Sequence, residues 1–100
     1  MNKLLIAICF LAASAFVNAA DRPAETLYNQ YCTICHAMGV ANAPKTHDVE
    51  AWKPKLAQGN EAMLKVIHNG LNAMPPMGMC QDCTDSEFLE LIKFMSTAKE

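Results

Sequence analysis

The sequence lacks any concentration of positive charge. Its eight Lys and Arg residues are scattered among ten Asp and Glu residues, which gives a formal net charge of −2. A nucleic-acid-binding surface needs clustered basic side chains, so we expect no nucleic-acid partner. No segment alternates polar and apolar residues for long enough to predict a β-strand, and no internal repeat occurs. These absences favour a small all-α protein.

Long apolar runs are absent after residue 17, and the single one lies at the N-terminus. Met1-Asn2-Lys3 is a short basic start, the 14 residues 4–17 are almost all apolar, and Val17 and Ala19 occupy the −3 and −1 positions of a cleavage site. The alternative interpretation, a membrane-spanning anchor, needs about 20 apolar residues. We therefore predict that residues 1–19 are a cleaved secretory signal peptide, that residues 20–100 form a single domain, and that this domain does not span a membrane.

The predicted domain is short but rich in sulfur. Its 81 residues contain four of the five cysteines and six of the seven methionines. A chain of this length has a marginal hydrophobic core unless a disulfide, a metal or a cofactor adds to it.

The first predicted helix leads directly into a pair of cysteines. Pro23 suits the first turn of a helix, and Leu27, Tyr31 and Ile34 follow at apolar helical spacing. We expect this helix to end before Gly39 and residues 39–47 to form a loop.

Two further helices are predicted in the middle of the domain. Asp48 can cap a short helix that extends to Leu56, in which Pro54 must lie in the first turn or end the helix. Residues 60–69 form a clearer helix that Gly70 ends. The predicted buried stripe of this helix is Met63, Val66 and Ile67.

The last helix has the clearest start. Thr84 and Glu87 have the spacing of a capping box, after a turn-rich segment at residues 71–83. Its apolar residues at i, i+3, i+4 and i+7 are Phe88, Leu91, Ile92 and Met95. In total, three to four helices are expected, joined by two long loops.

Cys32-Thr33-Ile34-Cys35-His36 has the Cys-x-x-Cys-His pattern of a c-type haem attachment site. Two thiols three positions apart on a helical turn can add to the two vinyl groups of a porphyrin. The adjacent His36 can then offer an imidazole nitrogen to the iron. The sequence therefore predicts one covalently attached haem c, with Cys32 and Cys35 as its thioether residues and His36 as an iron ligand.

The second axial ligand has several candidates. Met38 is too close in sequence to His36 to reach the other face of the ring, and Met63 and Met95 lie on predicted apolar stripes. Met74 is favoured because Pro75 and Pro76 after it make the loop stiff and extended. A soft thioether in such a loop suits an electron-transfer haem iron. The alternatives that remain open are Met77, Met79, His47 and His68.

Cys80-Gln81-Asp82-Cys83 is a second Cys-x-x-Cys pair, but Thr84 follows it instead of a histidine. It is therefore not expected to be a second haem site, and in an oxidising compartment its thiols would pair. Two other interpretations are possible. Both pairs together could form a four-thiolate zinc site, or Cys32 and Cys35 alone could carry out thiol–disulfide exchange. Zinc does not explain His36, and the strand that usually precedes an exchange motif is missing.

Beyond these motifs, the chain resembles one family over nearly the whole predicted domain, the monohaem cytochrome c5 group of class I c-type cytochromes. The resemblance rests on the Cys-x-x-Cys-His sequence, the loop from Gly39 to Lys45, the sequence Asn72-Ala73-Met74-Pro75-Pro76 and the second cysteine pair. Further matching residues are Trp52, Asn69, Gly70, Asp85, Phe94 and Met95. Met77-Gly78-Met79 departs from the relatives, which often have Lys or Gly there.

The resemblance implies a specific set of roles. It implies that Met74 is the sixth iron ligand and that Cys80 and Cys83 form a disulfide. It also implies that the backbone carbonyl of Pro44 accepts a hydrogen bond from the ring of His36. By the same resemblance, Tyr31, Trp52 and Ile67 line the haem pocket, and the protein carries electrons in the bacterial periplasm.

We therefore expect a periplasmic one-electron carrier between respiratory redox partners, not an enzyme, because both axial positions of the iron would be filled. The alternatives are a haem sensor or peroxidase-like protein that exchanges Met74 for another ligand, and a zinc-binding module that uses four cysteines. Partners are expected to dock transiently on an apolar surface formed by Met38-Gly39-Val40 and Met77-Gly78-Met79. The protein itself is expected to be a monomer or a weak homodimer.

Overall fold

Five α-helices make up most of the ordered framework in residues 20–100, the part of the chain that this computed structural model describes. They are α1 (Ala24–Leu27), α2 (Thr33–His36), α3 (Val49–Leu56), α4 (Asn60–Asn69) and α5 (Asp85–Ser96). A π-helical turn, Tyr28–Cys32, joins α1 to α2 without a break, and two 3-10 turns occur at Val40–Asn42 and Pro76–Met79. Residues 20–100 contain no β-strand, only an isolated bridge between Leu71 and Met74. The all-α prediction is confirmed; the predicted signal peptide lies outside the described residues.

The π-helical turn changes the face that the first helix buries. Leu27 is buried and Tyr31 packs against the core as expected, and Tyr28 is buried as well, but Ile34 is 67% exposed. The prediction that Ile34 shares their stripe is therefore wrong. A π turn inserts one residue, which rotates every later side chain by about 100° around the helix axis. His36 instead of Ile34 turns inward.

Helix α3 begins as predicted and continues through its proline. The Oδ1 atom of Asp48 accepts a hydrogen bond from the backbone N–H of Ala51 at 3.2 Å, which caps the helix. Pro54 lies in the second turn, and the helix continues to Leu56, so the expectation that Pro54 must be in the first turn or end the helix is wrong. Pro54 lacks an N–H and leaves the carbonyl of Glu50 without its helical partner. Both residues are exposed, so water can satisfy that carbonyl.

Helix α4 has the predicted bounds, and α5 begins where the sequence predicts. Gly70 follows the last residue of α4, and Met63 and Ile67 are buried, whereas Val66 is only partly buried. The Thr84 hydroxyl accepts from the Glu87 N–H at 3.1 Å and the Glu87 carboxylate accepts from the Thr84 N–H at 3.0 Å. This reciprocal pair is the predicted capping box.

The core lies where α5 packs against α1 and α4. The four predicted apolar residues of α5 are all buried, and Leu27 and Leu91 are among the least exposed side chains of the described residues. The rings of Tyr28 and Phe94 meet with their centroids 5.1 Å apart. Among the described helices, none combines the length and apolar character needed to cross a bilayer.

Candidate functional site

Cys32, Cys35 and His36 occupy the end of the first helix. Cys32 is the last residue of the π turn, and Cys35 and His36 are the last two residues of α2. Both cysteines are half-buried and unpaired. Burial raises the pKa of the Cys32 thiol to about 11. The Cys32 thiol is therefore protonated at neutral pH in this environment.

The ring of His36 is fixed through one of its two nitrogens. Its Nδ1 lies 2.8 Å from the carbonyl oxygen of Pro44, so Nδ1–H donates this hydrogen bond. His36 is only 8% exposed, and its ring stacks on Trp52 with centroids 5.6 Å apart. A proton held on Nδ1 leaves the lone pair on Nε2, the tautomer that a metal-ligating histidine uses. The donor chemistry of His36 therefore fits an iron-binding role.

The loop that supplies Pro44 is held by four further hydrogen bonds. The Thr46 N–H and hydroxyl donate to the His36 carbonyl at 2.8 and 3.2 Å, and the same hydroxyl contacts the Tyr28 hydroxyl at 2.9 Å. The Trp52 Nε1–H donates to the Lys45 carbonyl at 2.9 Å. These contacts involve the two residues that follow Pro44, so the acceptor of the His36 hydrogen bond has little freedom to move.

Met74 lies in a tight backbone turn against the core. Leu71 and Met74 exchange both backbone hydrogen bonds, at 3.0 and 2.9 Å, and Pro75 and the 3-10 turn Pro76–Met79 follow. The Met74 and Met77 side chains are partly buried and pack against the hydrophobic core, whereas Met79 is 59% exposed. The three methionines that the sequence leaves as candidates therefore differ in their access to the interior.

The two histidines that remained as alternative ligands have other contacts. The His47 N–H donates to the Met95 carbonyl at 2.6 Å, and its Nδ1 lies 2.8 Å from the Thr97 carbonyl, so this residue holds the end of α5. The Nε2 of His68 lies 2.6 Å from the Oδ1 of Asp85, and this contact connects α4 to α5. Both side chains are used to hold helices in place.

Cys80 and Cys83 are joined by a disulfide in the structure, and both are buried. Within residues 20–100, the group of potential metal ligands that lies close together is Cys80, Asp82 and Cys83, with their ligand atoms within 4.8 Å of one another. Cys32 and Cys35 are not part of it. The structure thus does not bring the two cysteine pairs together as a four-thiolate zinc site requires.

The remaining residues that the resemblance places in the pocket are Trp52, Ile67 and Tyr31. Trp52 and Ile67 are buried in the core cluster, and Tyr31 packs against it while partly exposed. Trp52 is the one whose contact with His36 is visible in the structure.

Sequence reasoning missed an ion pair near the second cysteine pair, between the half-exposed Arg22 and the buried Glu87. Glu87 is 4% exposed, and its carboxylate accepts from the Arg22 Nε at 2.8 Å, Nη2 at 3.0 Å and backbone N–H at 3.0 Å. The Arg22 guanidinium, with help from the Thr84 and Arg22 backbone N–H groups, lowers the pKa of Glu87 to about 2. Sequence signals for the capping box account for Thr84, but nothing local links residues 65 positions apart. This pair anchors the start of the domain to α5.

The geometry of the cysteines, His36 and the Met74 turn defines a class of protein. A helix that ends in two free cysteines and an oriented histidine, with a Met-Pro-Pro turn packed on the same core, is the arrangement of a small c-type cytochrome. A protein-family model described as "Cytochrome C oxidase, cbb3-type, subunit III" matches residues 19–95.

Individual relatives make the family assignment more specific. Cytochrome c5 of Ectopseudomonas mendocina is 42% identical over 87 residues, covering 85% of this chain and 98% of the relative. A mono-heme ferrocytochrome c from Shewanella putrefaciens is 53% identical, with a TM-score of 0.69, covering 81% of this chain and all of the other. A chain from the crystal structure of an electron transfer complex of nitrite reductase with cytochrome c is 42% identical, with a TM-score of 0.66, covering 77% of this chain and 95% of the other.

The chain belongs to the cytochrome c5 family of monohaem c-type cytochromes. Its cofactor is one covalently bound haem c. Like its relatives, it is an electron carrier and not an enzyme.

Proposed function

We propose that this protein is a periplasmic electron carrier that holds one haem c through Cys32 and Cys35 and ligates the iron with His36 and Met74. When bound, the haem supplies a one-electron Fe(II)/Fe(III) couple. The observation that carries the proposal is the orientation of His36, whose Nδ1–H is fixed by the Pro44 carbonyl beside two free cysteines.

Cys32 and Cys35 are the attachment residues in this proposal. These two side chains would hold the haem through thioether bonds to its two vinyl groups, with each thiol hydrogen going to a vinyl carbon. The second pair competes for this role on spacing alone, since Cys80 and Cys83 are also three positions apart. Two observations favour Cys32 and Cys35: they are unpaired and adjacent to His36, whereas Cys80 and Cys83 are bonded to each other and followed by Thr84.

His36 is the proximal ligand. The hydrogen bond to the Pro44 carbonyl orients the imidazole and makes its Nε2 more basic. Stacking on Trp52 restricts rotation of the ring. A ligand that is held in this way changes little when the charge on the iron changes, which keeps the structural cost of each electron transfer small.

Met74 is the distal ligand. Its backbone turn packs against the core, and two prolines follow it, which keeps the thioether in one place. Met79 is largely exposed. Met77 packs against the core as Met74 does, but it lies in the 3-10 turn that follows and not in the turn closed by the paired hydrogen bonds of Leu71 and Met74. A Met74 thioether bound to the iron would close it to small ligands and would favour a raised potential.

Redox partners are proposed to dock on exposed apolar residues beside the attachment site. Met38 is 76% exposed and Val40 is also exposed, and Met79 lies in the Met74 loop. A related cytochrome c is found with nitrite reductase in an electron transfer complex, which supports transient docking of this family on redox enzymes. Respiratory partners in the periplasm and removal of residues 1–19 are part of the same proposal.

Three measurements test the proposal. The mass of the protein purified from a bacterial periplasm with haem-attachment machinery should equal residues 20–100 plus one haem. The far-red absorption of the oxidised protein, which reports iron–sulfur ligation, should survive Met77→Leu and Met79→Leu and be lost in Met74→Leu. A mass without haem, or a far-red band that persists in Met74→Leu, contradicts the corresponding part. A dithionite-reduced spectrum that changes strongly with carbon monoxide would instead favour a ligand-exchanging sensor.

A further inference from the structure

The end of α4 approaches the Met74 loop more closely than any side chain would allow. Gly70 follows α4 with φ of 78° and ψ of 163°. A Cβ atom added at Gly70 would lie 2.8 Å from the Met74 carbonyl oxygen, 3.0 Å from the Pro76 nitrogen and 3.1 Å from the Pro76 Cδ. Contacts between a Cβ and backbone atoms below 3.0 Å are essentially absent from real proteins, so the Met74 segment would have to move.

The segment opposite Gly70 has few ways to yield locally. Leu71 and Met74 are joined by two reciprocal backbone hydrogen bonds, and the rings of Pro75 and Pro76 fix two successive φ angles. The Gly78 N–H donates to the Pro75 carbonyl at 3.0 Å, which closes the turn that follows. A displacement of the Met74 carbonyl would therefore move the whole turn, and the Met74 side chain with it.

The other glycines of the chain do not have this relationship. Gly59 has φ of 88°, and an added Cβ would meet nothing within 4 Å. Gly39 would meet the Lys45 side chain at 3.0 Å, which can rotate away, and Gly78 would meet only the Met74 Cε, at an ordinary 3.5 Å. Gly59 and Gly70 thus share a left-handed backbone that disfavours alanine, but only Gly70 touches the backbone of Met74.

We propose that Gly70 is a positioning residue for the iron ligand Met74: by lacking a side chain, it lets the Met74–Pro76 backbone lie directly on the end of α4 and so sets the reach of the thioether. This inference rests on the proposed ligation by Met74. The contact involves the carbonyl of Met74 itself, which is two bonds from the Cα that carries the thioether side chain. A shift there is transmitted directly to the sulfur.

The test compares Gly70→Ala with Gly59→Ala in the haem-loaded protein. Both variants introduce the same side chain at a left-handed glycine, so general backbone strain affects both. We expect Gly70→Ala alone to weaken the far-red iron–sulfur band and to increase the apparent affinity of the reduced protein for carbon monoxide by about tenfold or more. Carbon monoxide binds only where Met74 has left the iron, so its apparent affinity follows the population of that state.

Pro76→Ala provides a second, rescuing variant. It removes the Cδ that lies 3.1 Å from the added Cβ and frees one φ angle. The double variant Gly70→Ala/Pro76→Ala should recover part of the far-red band relative to Gly70→Ala, or, where that single variant does not accumulate, should carry a band close to that of Pro76→Ala. If neither Gly70→Ala nor Gly70→Ala/Pro76→Ala accumulates as folded protein while Gly59→Ala accumulates normally, Gly70 is needed for folding, and the proposal that it only positions Met74 is overturned.

Met74→Leu separates this inference from the function on which it rests. If Met74→Leu keeps the far-red band, the assignment of Met74 as the ligand fails, whatever Gly70 does. If Met74→Leu loses the band while Gly70→Ala and Gly59→Ala behave alike, only the positioning role of Gly70 fails.

Discussion

The Nε1–H of Trp52 donates a 2.9 Å hydrogen bond to the Lys45 carbonyl while its ring stacks on His36. One side chain therefore holds both the histidine and the loop that orients it. Pro44, the hydrogen-bond acceptor for His36, immediately precedes Lys45. This connection makes Trp52 a means of testing the loop and the ring separately.

Trp52→Phe should remove the hydrogen bond to Lys45 and keep an aromatic ring beside His36. We expect a loss of about 1 kcal/mol in the free energy of unfolding, the usual net contribution of one hydrogen bond, with the visible spectrum largely retained. Trp52→Leu should cost more, because the stacking partner of His36 and much buried surface are also lost. Guanidinium titrations of the two haem-loaded variants provide the comparison. Equal stability of the Phe variant and the wild type would show that the Lys45 contact contributes nothing.

The contrast between α5 and the first helix shows what the sequence could predict. Thr84, Glu87 and the four apolar residues of α5 depend on contacts within a few positions, and the structure has each of them as predicted. Ile34 is exposed because the π turn, which no local pattern indicates, shifts the register of α2. Pro54 is tolerated within α3 because its surroundings are solvent, a property of the fold and not of the local sequence.

The residues of the candidate site likewise include some that the sequence could predict and some that it could not. The cysteine and histidine types at residues 32–36 are sufficient to predict haem attachment, since the chemistry requires that spacing. The contact of Gly70 with Met74 and that of Arg22 with Glu87 depend on how helices meet in space, so spacing alone cannot predict them.

The pair of Arg22 and Glu87 should make stability depend on acid pH. Hydrogen bonds from Arg22 and from Thr84 to the Glu87 carboxylate lower the pKa of Glu87 to about 2 from an ordinary value of 4.5. A lowered folded-state pKa contributes stability that is fully present above about 4.5 and is lost as the pH falls toward 2. We expect the wild type to lose stability across that range and Glu87→Gln to lose less over the same range.

Thermal unfolding between about pH 2 and pH 6 measures this difference, since that range spans both pKa values. Glu90→Gln is a suitable control, because Glu90 is an exposed carboxylate on the same helix. Parallel pH profiles for the wild type and Glu87→Gln would contradict the role assigned to the Arg22 contact.

The two cysteine pairs should respond differently to replacement. In the proposed arrangement, Cys80→Ala/Cys83→Ala keeps the covalent haem and loses about 2 kcal/mol of stability or less, because the disulfide closes a very small loop. Cys32→Ala/Cys35→Ala should lose the covalent haem altogether. Acid–acetone extraction followed by mass spectrometry separates bound from extractable haem. Haem that stays on the protein after loss of Cys32 and Cys35, or leaves after loss of Cys80 and Cys83, would reverse the assignment.

Electron exchange with partners should depend on the exposed apolar residues that follow the attachment site. Val40→Glu places a charge on the proposed docking surface and should slow second-order electron exchange with a physiological partner by roughly tenfold, within the range over which association rates vary among mutants of one interface. Leu56→Glu is the matched control, since Leu56 is also an exposed apolar residue but lies at the end of α3. Both variants should keep the wild-type spectrum and potential, because both residues are exposed and neither is a proposed iron ligand. Stopped-flow mixing with a reduced partner then distinguishes docking from haem chemistry, and equal rates for Val40→Glu and Leu56→Glu would move the docking surface elsewhere.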